Sequence, residues 1–372
     1  MSGLDYLLRR VRQRFESIIH KGGEAPFFSV ETFLLVFSKC YGGAMAVRAR
    51  LYESGILPSK KLPCIVISIG NLAAGGTGKT PITIALAKLI SASGRRVVVI
   101  SRGYGGRLEK RGGVVSDGEN ILFESVDSGD EPQLIARCLK GVPVVVGGRR
   151  YNAGLLAVTQ FNPEIIILDD AFQHLKLKRN LNIVLLDCSA PFGNGHLLPR
   201  GALREPKSAL ARADAVFFTR CLEGDLPLRL KGLPDSLPIV HTRHDLVIRR
   251  VETGEKRFIE NRQDLSSLKG KRALAFAVLA DNDQFFGSLQ LAGCDLIQTL
   301  SFPDHHRYNS SDLDKIARVS TSCSAEVLIT TLKDAVKLDI HRSWPIELVV
   351  IDVKIHFTES RDSILPLICT HL

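Results

Sequence analysis

The residues Gly70-Asn-Leu-Ala-Ala-Gly-Gly-Thr-Gly-Lys-Thr-Pro81 lie between a short apolar run, 64–69, and a helically spaced segment, 82–90. In such a strand, loop and helix, the backbone N–H groups of Gly75, Gly76, Thr77 and Gly78 can wrap a phosphate. Three of the four positions lack a Cβ, and the helix N-terminus adds partial positive charge. Lys79 is then placed for the β and γ phosphates of a nucleoside triphosphate, and Thr80 for Mg²⁺. The strict pattern asks for glycine where Ala73 stands. The cradle glycines, the lysine and the threonine are all present, so the chemistry is kept.

Further polar groups cluster at the ends of apolar runs. Ile165-Ile-Ile-Leu-Asp-Asp170 closes a buried-type run with two carboxylates. At the C-terminal edge of an open α/β sheet, Asp169 would face the Mg²⁺ of Thr80 and the nucleotide; in isolation such a run marks only a strand meeting a loop. In Gly129-Asp-Glu-Pro132, Asp130 reads either as the cap of a helix with Pro132 in its first turn or as a base at a site. Ser101-Arg-Gly-Tyr-Gly-Gly106 and Gly147-Gly-Arg-Arg150 offer Arg102, Tyr104 and Arg150 to an anionic ligand, with glycines that let the first two approach it. A long loop holding Phe192-Gly-Asn-Gly195, Leu197-Leu-Pro199 and Leu203-Arg-Glu-Pro206 carries Arg204, suited to charge on a transferring phosphoryl group, with Glu205 beside the metal; a surface ion pair is the alternative. In Pro303-Asp-His-His-Arg-Tyr308 the adjacent imidazoles diverge, which disfavours a metal site. One of them is either a structural residue or, paired with a carboxylate from another domain, a general base.

Positioning these groups requires an α/β fold. Between 63 and 222, apolar β-rich runs at 64–69, 97–100, 142–146, 165–168, 183–186 and 215–218 alternate with helical segments, which gives a mostly parallel sheet of P-loop NTPase type covered by helices on both faces. The Pro- and Gly-rich stretch 222–238 marks a boundary. Beyond it, strands at 273–279, 327–330 and 346–351 and helices at 284–291 and 311–320 indicate a second, smaller α/β domain. The expected division is 1–61 for basic amphipathic N-terminal helices belonging to the first domain, 62–222 for the nucleotide-binding domain, 223–240 for a linker and 241–372 for the smaller domain.

The 372 residues carry a net charge of +10, which calls for an anionic partner. Residues 1–61 hold ten Lys or Arg against five Asp or Glu, with apolar residues from Leu4 to Ile19 at helical spacing and a second run from Phe33 to Val47. These read as helices lying in a membrane interface or, for the second run, equally as a cover helix; that run reads as too short, and at Lys39 too interrupted, to span a bilayer. Eight scattered cysteines without a Cys-x-x-Cys pair read as buried thiols of a reducing compartment, not as a disulfide frame or zinc site. The basic segments lack interleaved aromatics, so no nucleic acid is expected, and a monomer is.

Taken in order, Asn71–Pro81, Ser101–Gly106, Gly129–Pro132, Asp169-Asp-Ala-Phe-Gln-His174, Phe192–Gly195 with Leu203-Arg-Glu205, Asp304-His305 and Lys333-Asp-Ala-Val-Lys337 resemble the tetraacyldisaccharide 4'-kinases, the lipid A 4'-kinases of Gram-negative bacteria. The resemblance spans roughly residues 30 to 340. It implies transfer of the γ-phosphoryl of ATP, with Mg²⁺, to the 4'-hydroxyl of a tetraacylated glucosamine disaccharide 1-phosphate, giving lipid IVA at the cytoplasmic face of the inner membrane. In matching positions Lys79 and Thr80 hold phosphates and metal, Asp130 with His305 acts as base, and Asp169, Asp170 and Glu205 surround the metal. Arg204 stabilises charge, while Arg102, Tyr104 and Arg150 meet the head group. A dyad spanning two domains implies that domain closure assembles the base. Ala171 replaces a common glycine, the run 277–280 replaces a common Ala-Gly-Ile, and Asn152 replaces a second basic residue. The rival from another class is a P-loop switch or metal-insertion protein acting on a partner; a guanine reader would show Asn-Lys-x-Asp, and Thr331-Leu-Lys-Asp334 is the nearest approach.

Overall fold

The computed structural model describes residues 29–222, 236–251, 257–260, 265–278, 282–303, 306–339, 342–359 and 361–369. The first amphipathic run, most of the Pro- and Gly-rich boundary, and Asp304 and His305 lie outside them. In chain order the elements are helix α1 (Val30–Glu53), strand β1 (Ile65–Asn71), helix α2 (Lys79–Ser91), strands β2 (Val97–Ser101) and β3 (Gly113–Ser116), helix α3 (Asp130–Cys138), strand β4 (Val144–Val146), helix α4 (Arg150–Phe161), and strands β5 (Ile165–Leu168), β6 (Leu181–Asp187), β7 (Ala215–Thr219) and β8 (Ile239–Val251). They continue with β9 (Phe258–Glu260), β10 (Arg272–Ala277), α5 (Asn282–Leu291), β11 (Asp295–Ser301), α6 (Ser310–Ser322), β12 (Val327–Thr331), β13 (Glu347–Phe357) and α7 (Arg361–Cys369). Two compact units divide the described chain, one drawn from 1–79, 168–243 and 357–372, the other from 80–167 and 244–356.

In the first unit β1 pairs with β6, β6 with β7, and β7 with the start of β8, all parallel. The strands are near-continuous Val, Ile, Leu and Phe, the composition of parallel strands buried on both faces. Their core extends into the loops at their ends: Leu72, Phe172 and Leu203 pack with Val184, Leu186, Val216 and Phe218. Burying one apolar residue in each of three loops is what gives the neighbouring polar residues fixed places.

Two expectations are corrected here. Cys188 and Cys221 form a disulfide, with Cα atoms 5.3 Å apart. They follow the ends of neighbouring strands β6 and β7, and strand adjacency, which spacing in sequence does not reveal, brings them together. Cys138 and Cys294 are buried free thiols as expected, whereas Cys40 is free and exposed. Likewise, the second apolar run is not short. It belongs to the 24-residue α1, capped by the Ser29 hydroxyl accepting from Thr32 N, and this helix is long and apolar enough to cross a membrane.

In the second unit β2 and β4 run parallel with β3 antiparallel on β4, and α3 and α4 pack against this group. The strands β11, β10, β12 and β13 are parallel neighbours in that order, and β8 pairs antiparallel with β9. Leu134 and Cys138 of α3 share a core cluster with Leu332, Ala335 and Val336. That packing seats the N-terminus of α3 beside the single helical turn Leu332–Ala335 that follows β12. The strands β3, β8, β9 and β11 were not foreseen: β3 and β9 are four and three residues long, β8 starts inside the expected linker 223–240 and interleaves its apolar residues with His, Arg and Asp, and β11 is largely exposed, with no buried apolar run to announce it.

Candidate active site

The phosphate loop has the backbone that its glycines allow. Gly75 and Gly78 adopt φ of 119° and 79°, conformations costly for other residues. A Cβ built on Gly75 would meet no protein atom within 4 Å, so the space beside that residue is open. Thr77 turns inward, where its hydroxyl accepts from Asn71 Nδ2 at 2.7 Å, and Ala74 N donates to Ala202 O at 2.6 Å. Ala73 forms an antiparallel bridge with Leu203, so the position without glycine is ordinary extended backbone stitched to the Arg204 loop. Lys79 and Thr80 open α2, a 13-residue helix whose N-terminus adds its dipole to the loop. A triphosphate therefore fits this cradle, and Mg²⁺, which keeps most of its waters and takes only one or two protein ligands, fits with it. Among the described residues no three His, Cys, Asp or Glu side chains gather into a metal cluster of their own.

Beside the loop, three of the anticipated charges converge. Asp170 sits at φ 47°, two residues past the end of β5. Both of its carboxylate oxygens accept from Arg204 Nη1 at 3.1 Å, and Lys79 Nζ lies 3.9 Å from Oδ1. Arg204 is set by its own backbone, its N donating to Leu72 O at 2.7 Å and its carbonyl accepting from Tyr41 Oη at 2.9 Å. Of the two aspartates, then, Asp170 is the one that faces Lys79, and Asp169 is buried. Glu205 is not brought to this group: it is buried and ion-paired with Arg212, whose guanidinium stacks on the Phe172 ring at 4.6 Å. Nearby, burial pushes the Arg179 guanidinium down to about 10.

Two residues at this edge escaped the sequence reading. Arg220, just past β7, donates from Nη2 to the carbonyl of loop residue Gly76 at 2.5 Å and pairs through Nη1 with Asp187 Oδ2 at 2.8 Å. Asp187 ends β6. Both obey the logic already applied to Asp169 and Asp170, a polar residue at the C-terminal end of a buried parallel strand, and that logic, extended to every strand, would have found them.

The second unit holds the other candidates. Asp130 is not the cap of its helix: Gly129, at φ 87°, takes that place, and Asp130 is the first helical residue. Its carboxylate turns to Lys337 Nζ, 3.4 Å away. The glycines of the 101–106 loop serve packing as well as any ligand, since a Cβ on Gly106 would stand 2.5 Å from Asp127 O and 2.6 Å from Gly129 N. The loop before α3 and the loop after β2 thus touch backbone to backbone. Arg102 lies over the exposed Tyr104 ring at 5.7 Å and pairs with Glu109 at 2.8 Å, while Arg307 donates to Gly105 O at 3.1 Å. Arg150 starts α4 and is buried, donating to Gly147 O at 2.8 Å. Asn152, one of the departures, is exposed on the same helix.

The nearest approach to a guanine-reading motif is spent inside the fold. Asp334 is fully buried and accepts from Thr331 Oγ1 at 2.6 Å and Val278 N at 3.1 Å. Burial pushes its carboxyl above the usual range, and burial likewise raises the nearby Tyr308 hydroxyl.

Comparison with known proteins gives one consistent answer. The family model described as tetraacyldisaccharide-1-P 4'-kinase matches residues 30–369. A tetraacyldisaccharide 4'-kinase of Desulfatibacillum aliphaticivorans is 40% identical over 357 residues, covering 94% of this chain and 95% of that one. The protein of the same name from Geobacter metallireducens is 46% identical over 310 residues, covering 83% and 89%. Among solved structures, LpxK of Aquifex aeolicus, an "apo" form in complex with ATP, superposes with a TM-score of 0.74 at 32% identity, covering 92% of this chain and 99% of that one.

Proposed function

The chain belongs to the tetraacyldisaccharide-1-P 4'-kinase family, and from that premise we propose that it moves the γ-phosphoryl group of ATP to the 4'-hydroxyl of a tetraacylated glucosamine disaccharide 1-phosphate, yielding lipid IVA. The observation that carries this reading is the convergence of Lys79, Asp170 and Arg204 beside an open glycine loop. Phosphoryl transfer asks a protein mainly for positioning and for charge at the transferring group, and these side chains supply both.

Backbone N–H groups of Gly75, Gly76, Thr77 and Gly78 would cradle the phosphates, with Lys79 on the β and γ oxygens. Thr80 and Asp170, with Asp169 behind it, would hold Mg²⁺. When bound, that ion neutralises charge on the β and γ phosphates. Asp170 holds Lys79 and Arg204 over the cradle until phosphate oxygens take them, so both cations meet the nucleotide pre-aimed. Arg204 then stabilises charge on the group in flight. Asp130, paired with His305, would accept the proton of the sugar hydroxyl. Arg102, Tyr104 and Arg150 are assigned to the acceptor's head group, Arg150 from a buried position, and Glu205 to support of the Arg204 loop through Arg212. The protein would work as a monomer at the cytoplasmic face of the inner membrane, where a tetraacyl acceptor resides.

The test incubates the purified chain with γ-labelled ATP, Mg²⁺ and a tetraacyl disaccharide 1-phosphate in detergent. Label is expected in the lipid at the 4' position. Hydrolysis of ATP with none in the lipid would overturn the assignment.

A further inference from the structure

Lys337 is a cation almost wholly withdrawn from solvent, its side chain 4% exposed, and the reaction as assigned makes no use of it. Its Nζ stands 3.4 Å from Asp130 Oδ2 and 3.7 Å from Asp334 Oδ1, and it donates to the carbonyl oxygen of His306 at 3.5 Å. Three segments distant in sequence therefore meet at one ammonium: the start of α3, the turn after β12, and the loop that leads into α6.

An ammonium in such a place is costly unless its partners are held in position. They are held. Asp334 is pinned by Thr331 Oγ1 and Val278 N. Asp130 is pinned by the helix it begins, which packs through Leu134 and Cys138 on Leu332, Ala335 and Val336. The His306 ring gives its Nε2 to Asp312 Oδ2 at 2.9 Å, and Asp312 closes a capping box with Asn309 at the start of α6. Asp130 needs no cation to fold, since the first turn of a helix already favours a carboxylate. A lysine at 337 therefore does something more specific than neutralise it. By engaging Oδ2, it leaves Oδ1 as the oxygen for a proton partner.

We propose that Lys337 is the positioning residue of the base: its ammonium fixes the Asp130 carboxylate by Oδ2, holding the orientation in which Oδ1 is open to a proton partner. This rests on the reading of Asp130 as the base. Lys337 touches no reacting atom and acts only through that carboxylate.

The experiment compares five variants of the full chain: Lys337→Met, Lys337→Arg, Asp130→Asn, and Lys337→Met combined with Asp334→Asn or with Asp130→Asn. Misplacing a reacting group by an ångström costs about 100-fold, so Lys337→Met should lower kcat by about that factor. KM for ATP and for the lipid should stay within about threefold, the sign of a loss confined to the transition state. Lys337→Arg should recover much of the loss, because its guanidinium can still reach Asp130. Lys337→Met should cost little further in an Asp130→Asn background, because two residues acting as one unit are not additive. The variant with Asp334→Asn removes the carboxylate left unpaired in the interior and should melt like the parent while keeping the kcat defect. If that variant regains turnover, Lys337 merely neutralises Asp334 and the assignment falls. It falls also if Asp130→Asn is inactive while Lys337→Met turns over normally. Full turnover by Asp130→Asn would remove the base reading, and Lys337's role with it.

Discussion

The side chain on which most of the site depends is Asp170. A carboxylate that receives two bonds from one guanidinium nitrogen and stands within ion-pair distance of Lys79 fixes both cations at the price of one anion. On the proposed reaction the Arg204 side chain bears on chemistry and not on folding, because its backbone is independently stitched to Leu72 and Tyr41. Arg204→Ala should therefore leave the fold and ATP affinity nearly intact while lowering kcat by about 10³-fold, the low end for a charge-stabilising arginine. Steady-state kinetics with a parallel nucleotide titration checks this, and a thermal midpoint that falls as far as the activity would return Arg204 to the surface ion pair that the sequence left open. The same residues show where sequence reading stops. Glycine loop, lysine, threonine and both aspartates were legible because their types and order carry chemistry. That Asp170 faces the lysine while Asp169 is buried was not, since the φ of 47° that turns the chain there belongs to the folded backbone. The Cys188–Cys221 pair was missed for a related reason, since it owes its existence to the adjacency of β6 and β7, whereas Arg220 and Asp187 were within reach as polar residues at strand ends and only their pairing needed the fold.

Among the elements, α1 best shows how a helix can be read correctly in kind and wrongly in extent. Its apolar residues were visible, and Lys39 stands at an exposed position of one continuous 24-residue helix instead of breaking it. The stripe Leu34, Ser38, Tyr41 and Arg48 follows helical spacing and faces inward. Ser38 Oγ donates to Leu197 O at 2.7 Å and accepts from Arg200 N at 3.0 Å, Tyr41 reaches Arg204 O, and Arg48 reaches Gln173 O at 3.0 Å. One face of α1 is thus bonded to the loops that carry Arg204 and follow Asp170. Ser38→Ala should leave Arg200 N and Leu197 O without this partner in a buried place, a loss of about 1–3 kcal/mol in chemical unfolding. A change within error would mean that the helix is not docked on these loops in solution. The strands divide along similar lines. Ile165–Leu168 was placed to the residue because all four side chains are buried, whereas β11, whose residues are half-buried or exposed, gave no signal of its own.

On the scale of the whole molecule, the net charge of +10 and the outer face of α1 ask for the same surroundings. Val30, Phe33, Val36, Phe37 and Val47 are all at least half exposed, and the Phe33 and Phe37 rings pack at a tilt with centroids 4.7 Å apart. A contiguous apolar patch of this kind on a basic segment is unusual for a surface meeting only water and suits an interface of acyl chains below anionic head groups. The inner face of the same helix is bonded to the catalytic loops, so anchorage would bring the cradle to the plane in which a tetraacyl acceptor lies. If α1 anchors the protein as proposed, its exposed rings lose water on binding whether the helix crosses that plane or lies in it. Burying a phenyl side chain contributes about 1.5–3 kcal/mol in full, so Phe33→Ser with Phe37→Ser should weaken association with vesicles of phosphatidylethanolamine and phosphatidylglycerol by about tenfold or more. Turnover on acceptor dispersed in detergent should change little, since neither ring belongs to the bonded stripe. Sedimentation with vesicles separates the two effects: unchanged partitioning would detach α1 from the membrane, and loss of turnover in detergent would show instead that the rings hold the catalytic loops in place.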